Sequence, residues 1–409
     1  MGPRAITSWY QTAARLWLTL AGLSLLLPPA DRRGLWLPLH LALAGAIATA
    51  ISGAMQNFML ALTATPSPPA AATWTQLALV TVGAAGIAVG VPRDIQALTA
   101  TAGTAFVGAM ALLGWMLWRA WGRSLHKRHA MPLASYGSAI VSVIAGSALG
   151  ALLGGGAFAG EAIAAARHAH MTLNVLGFAS LTVVGTLVTL LPTALRVRMP
   201  PWRGRAVLGA FVAGLMLQLL GWATDATAIL AAGGLLYATG ALGLVLLVVT
   251  ILRAERRWKV PLAAMHMVAS VMWFVVGCAT LAWALVHGAE GFDDARSTFL
   301  VAFVGGWLVQ VLLGAWSYLL PMQRPGHPDE RRRMLFAFEV AGPLQLALLN
   351  AGLVLLALRG AGTVGPDIGD LAIWLTTVGA TMALAKAWLF PVLGRGPVDS
   401  ERARAIWGA

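Results

Sequence analysis

Long, nearly unbroken apolar runs alternate with short polar breaks along the whole chain. Twelve runs stand out, at 12–29, 35–63, 74–91, 95–118, 133–156, 166–194, 204–222, 226–252, 261–287, 297–320, 334–358 and 369–393. Each is close to the ~20 residues that carry a helix across a bilayer. The breaks are marked by proline, glycine and charge, as in TPSPPAA, VPRD, MPPWRGR and QRPGHPDERRR. In lipid the backbone must satisfy its own hydrogen bonds, which leaves helices or a closed barrel. These runs are too long and too continuously apolar for barrel strands. The pattern therefore predicts one all-α transmembrane domain over 1–409, with twelve helices and a tail at 394–409. No cleavage-type site follows the first run, which ends at LLLPPADRRG, so it is read as a spanning helix.

Composition agrees: 59% of residues are hydrophobic and 11% charged, against about 25% charged in a soluble domain. The net charge of +13 raises the question of nucleic acid, and its distribution answers it. The N-terminal segment, the loops after even-numbered runs and the C-terminus hold 21 of the 28 Lys and Arg; the loops after odd-numbered runs hold six, and Lys386 lies inside run 12. Basic residues mark the cytoplasmic side. Both termini are thus expected in the cytoplasm, in an inner (cytoplasmic) membrane. The charges read as topological anchors, with the lipid bilayer as partner and no nucleic acid. Tryptophans at predicted run ends, among them Trp36, Trp74, Trp115, Trp202, Trp258 and Trp283, read as an aromatic belt. The lone Cys278 excludes a disulfide framework.

Runs 6 and 10 end alike, in GTLVTLLP from Gly185 and GAWSYLLP from Gly314; run 2 has a weaker version from Gly53. The period is four runs, which predicts three related four-helix units, at about 1–132, 133–260 and 261–393.

Eight histidines complete the picture. His40 opens run 2, His168 and His170 open run 6, and His287 closes run 9, all at the outer rim. His266 lies early in run 9, on the cytoplasmic side; His126, His129 and His327 fall in basic loops. Imidazole is a common ligand for haem iron and copper, and ligands from separate helices at one depth are how a bundle builds such a site. His168 and His170 point about 200° apart on a regular helix, so His170 is preferred as ligand and His168 as second ligand or rim hydrogen-bonder. His170, Asn174, Gly177, Leu181 and Gly185 share one face, suited to close helix contact or to a flat macrocycle. His287 reads as an interfacial side chain or a ligand, and His266 as a helix–helix hydrogen-bonder or a ligand. Glu339 and Lys386 fall at matching depths and are expected to form a structural ion pair, with a proton or quinol role as the sharper alternative.

Twelve spans, cytoplasmic termini, three four-helix units and outer histidines on spans 2 and 6 together resemble haem–copper oxidase subunit I. They are more similar still to the NnrS-type haem- and copper-containing membrane proteins linked to nitric oxide stress. The segments that carry the likeness are HLALAGAIATAISGAMQNF from His40 and HAHMTLNVLGFASLTVVGTLVTLLPTALR from His168. Spans 7 and 10 lack the histidines that oxidases carry there, and the HxxxY-type arrangement is missing from span 6. The resemblance thus implies His40 as a haem ligand and His168 or His170 as a haem or copper ligand, with a second axial ligand for His40 from span 6 or 9. It implies a membrane redox protein that transfers electrons, with quinol or a periplasmic redox protein as partner, or handles nitric oxide or a related oxidant. The alternatives are a twelve-helix transporter and a non-catalytic assembly partner. Oligomeric state is left open.

Overall fold

A computed structural model describes residues 3–124, 129–255, 260–324, 327–365 and 367–393. The expectations for His126, Trp258 and the 394–409 tail fall outside these residues. The described residues are all-helical, with no strand. The helices are α1 (Pro3–Ser24), α2 (Trp36–Thr63), α3 (Ala70–Gly90), α4 (Gln96–Arg123), α5 (Ala130–Gly154), α6 (Ala162–Ala194), α7 (Gly204–Thr224), α8 (Thr227–Ala254) and α9 (Leu262–Val286). Then comes α10, which runs from Gly288–Leu300 through Val301–Val309 into Gln310–Gln323, followed by α11 (Pro328–Glu339), α12 (Gly342–Gly360) and α13 (Asp367–Leu393).

Eleven of these helices are long and apolar enough to cross a membrane. The chain is a multi-pass helical membrane protein. Helix α1 is not among the eleven: its 22 residues include Arg4, Gln11 and Arg15. Its Tyr10 nevertheless joins a closed polar network in the interior. The Tyr10 hydroxyl shares its proton between the Thr73 carbonyl (2.8 Å) and Gln76 Oε1 (2.6 Å) and accepts from Gln56 Nε2 at 3.1 Å. Gln76 Nε2 in turn donates to Ser52 Oγ at 3.2 Å. Such pairing is what an apolar medium demands of buried polar groups.

Two boundaries differ from expectation. The break between runs 9 and 10 is helical, since Gly288–Leu300 winds directly into α10. Run 11 divides in two at Val340–Ala341, where Ala341 adopts φ +52°. The cause is Pro343: within a continuous helix its ring would clash with the carbonyl of Glu339, so α12 starts afresh with the proline in its first turn.

The most informative local feature is a π-helical segment, in which hydrogen bonds reach one residue further than in an α-helix. Three occur among the described residues: Leu41–Ile47 in α2, Thr172–Ser180 in α6 and Val301–Val309 in α10. They begin at 41, 172 and 301, spaced by 131 and 129 residues, against 132 and 129 for Gly53, Gly185 and Gly314. Well under 1% of residues in proteins are π-helical. The spacing of the three segments is close to that of the three glycines.

Packing divides the chain into two compact units, Met1–Thr186 with Val212–Ile229, and Leu187–Phe211 with Leu230–Ala409. In the first, α6 is the most enclosed spanning helix and lies against α5; Ser135 Oγ donates to the Leu181 carbonyl at 2.6 Å and Tyr136 Oη meets Thr186 Oγ1 at 2.9 Å. In the second, an aromatic core gathers round Phe274, which stacks on Trp307 at 4.4 Å and meets Phe211 and Phe303 at 5.8 and 5.9 Å.

Candidate functional site

The first unit brings His40 and His170 together. His40 ends the short α-helical opening of α2, one residue before its π segment; His170 lies two residues before the π segment of α6. Their ring centres are 6.5 Å apart and their planes 12° from parallel. Both are half-buried, although the spans that carry them are largely enclosed.

Each ring is held by a backbone carbonyl. His40 Nδ1 lies 2.8 Å from the carbonyl oxygen of Trp36, and His170 Nδ1 lies 2.8 Å from that of Gly146 on α5. A carbonyl can only accept, so Nδ1 carries the hydrogen in both rings and Nε2 keeps its lone pair. This is the arrangement typical of metal-ligating histidine, whose second nitrogen donates to a carbonyl or carboxylate. The Trp36 indole covers one side of the His40 ring, with centres 3.8 Å apart and planes 19° from parallel.

Asn174 stands one turn below His170 and donates from Nδ2 to the His170 carbonyl at 2.8 Å. The shared face of α6 is used for close helix contact. Gly177 faces Ser142 and Gly185 faces Ser135, while Gly146 and Gly150 of α5 make room for Asn174 and His170. A methyl group on Gly150 would sit 2.5 Å from His170 Cε1.

The other predicted residues lie elsewhere. His168 stacks on Trp222 at 4.2 Å. His287, in the second unit, is exposed; its ring lies tilted by 33° against Trp283, centres 4.4 Å apart, and its Nδ1 lies 2.8 Å from the Trp283 carbonyl. That repeats the Trp-x-x-x-His geometry of Trp36 and His40. His266 is buried and meets Gln345 Nε2 through its Nε2 at 3.1 Å, the helix–helix hydrogen bond of the plainer expectation. His129 and His327 are exposed.

Glu339 and Lys386 come close without joining in a direct ion pair. The Glu339 carboxylate accepts from the Leu262 N–H at 3.1 and 3.2 Å, and Lys386 Nζ donates to the Phe338 carbonyl at 3.0 Å. One caps the start of α9 and the other the end of α11, where the helix leaves unpaired groups of the opposite partial charge. Glu339 ends α11, outside the spanning helices. Burial pushes its carboxyl up to about 7, against the Leu262 N–H and the Lys386 charge, which act to lower it.

Among the described residues no group of three or more His, Cys, Asp or Glu side chains is placed to hold a metal ion. Two imidazoles fall short of the three or four protein ligands of a zinc site. They would suit a haem, whose macrocycle supplies four further nitrogens.

Sequence reasoning missed three parts of this arrangement. The Trp36 and Gly146 carbonyls carry no side-chain signal. The Gly146-x-x-x-Gly150 pair was present as GSALG. The π segments have no composition of their own. Compared with known proteins, the chain matches no protein-family model and no curated sequence.

Proposed function

We propose that this chain is a haem-binding electron-transfer protein of the inner membrane, with one haem iron held between His40 and His170. The observation that carries the reading is the pair of near-parallel imidazoles, each with Nδ1–H fixed on a carbonyl and Nε2 bare. Bound there, a haem would supply one-electron redox chemistry. The protein's part is to hold both rings in one tautomer and orientation, through Trp36, Gly146 and the glycine-lined α5. Both axial positions would be occupied by protein, which favours electron transfer over capture of nitric oxide or another small oxidant. Copper is the weaker reading, since two imidazoles make an incomplete set for Cu²⁺.

The finer topology belongs to the same proposal: α1 as the twelfth span, both termini cytoplasmic and His40 and His170 toward the outer face, where a periplasmic redox protein or quinol exchanges electrons. The likeness to haem–copper oxidase subunit I and to NnrS-type proteins supports this reading, and so does the π-segment spacing of 131 and 129 residues.

The test is the visible spectrum of the purified protein. A low-spin haem spectrum is expected, and its loss in the His40→Ala/His170→Ala double variant. A colourless protein from haem-replete cells, or a spectrum unchanged by the double substitution, would overturn the proposal.

A further inference from the structure

The polar network of the first unit closes on itself through Tyr10, Gln56, Gln76 and Ser52. The second unit holds a buried polar group that stays open. His266 (1% exposed), Gln345 (2%) and Gln310 (0%) lie in its interior. His266 and Gln345 satisfy each other through one bond of 3.1 Å. His266 Nδ1, Gln345 Oε1 and both amide atoms of Gln310 are left without a partner.

The unmet groups have a definite chemistry. An amide nitrogen only donates, so His266 Nε2 accepts from Gln345 and Nδ1 carries the hydrogen. One donor (Nδ1–H) and one acceptor (Oε1) then remain unmet on this pair. Turning the Gln345 amide over exchanges the two roles and leaves the same total. Gln310 adds one donor atom, Nε2, and one acceptor atom, Oε1. Two donor atoms and two acceptor atoms without a protein partner suit a buried water, which makes two to four hydrogen bonds.

His266 and Gln310 stand on packed helices, α9 and α10. Gly306, Gln310 and Gly314 follow one another at four-residue steps on one face of α10. Gly306 lies against Trp273 of α9, and a methyl group on Gly314 would sit 2.8 Å from His266 Cβ. Gln310 is thus bracketed between two contacts with α9, one turn from His266.

We propose that the second unit binds one buried water molecule between His266, Gln345 and Gln310. The site is independent of the His40–His170 pair and stands whether or not that pair holds a haem.

Electron cryo-microscopy of the full chain in nanodiscs, at a resolution that shows ordered water, tests this. The expected result is a density peak within hydrogen-bond distance of His266 Nδ1 and the Gln310 amide, lost in Gln310→Leu. Gln310→Met, of the same length, gives a second chance of a folded variant, and the wild-type map decides if neither folds. A wild-type map in which the Gln310 amide bonds directly to protein with no peak overturns the proposal. So does a peak that persists unchanged in either variant.

Discussion

The His170 ring lies on α5: its Nδ1–H meets the Gly146 carbonyl at 2.8 Å, and its Cε1 occupies the space where Gly150 has no side chain. The residue that would bind the iron is thus oriented chiefly by a neighbouring helix, with Asn174 Nδ2 of its own helix 3.3 Å from the same ring nitrogen. Gly150→Ala is expected to force the ring aside or part α5 from α6. Overpacking of this kind costs about 1–3 kcal/mol. Thermal unfolding in detergent should show the loss, and the haem content of the purified variant should fall with it.

If the His40–His170 pair holds a haem as proposed, removing one histidine would open one position. His40→Ala and His170→Ala, each alone, are expected to turn a six-coordinate haem into a five-coordinate one that binds carbon monoxide. The wild type should bind it weakly or not at all. Titration of the reduced protein with carbon monoxide, followed in the visible spectrum, checks this.

Tyr10 anchors α1 to the rest of the first unit. Tyr10→Phe removes the hydroxyl that serves Thr73, Gln76 and Gln56 together. Buried groups left unpaired cost roughly 1–3 kcal/mol. A lower midpoint in thermal unfolding is expected, with the haem spectrum retained.

Glu339 gives stability a pH dependence of known sign. Its carboxyl sits near 7 in the folded chain, above its ordinary value of 4.5, with burial as the leading cause. Between these values the folded state holds the proton more firmly than the unfolded state. Stability from this group is therefore fully present below about pH 4.5 and is lost as pH rises through 7. Glu339→Gln should flatten that part of the profile of unfolding midpoint against pH in detergent. A slope unchanged in the variant would remove Glu339 from the account.

The spans were legible because their signal is long and redundant: a run of about twenty apolar residues survives a few polar exceptions. Helix α1 shows the limit, since Arg4, Gln11 and Arg15 leave it short of the other eleven. Run 11 was read as continuous because apolar character passes through EVAGP without a dip, whereas the break is a steric effect of Pro343 on the Glu339 carbonyl. The His40–His170 pairing was legible from depth and period. The tautomers that leave Nε2 bare depend on the carbonyls of Trp36 and Gly146, and main-chain groups are the same at every position. Glu339 and Lys386 were placed at matching depth, but two nearby helix ends gave each a nearer partner than the other.

Each π segment amounts to one residue inserted into an α-helix. In α6 the insertion lies between His170 above it and Gly185 below it, so it turns the two ends by about 100° relative to an uninterrupted α-helix. With that turn both His170 above and Gly185 below it lie against α5. Deleting a single residue within 172–180 would restore one continuous helix. His170 would then swing about a quarter-turn off its target, with every side chain that forms the site still present.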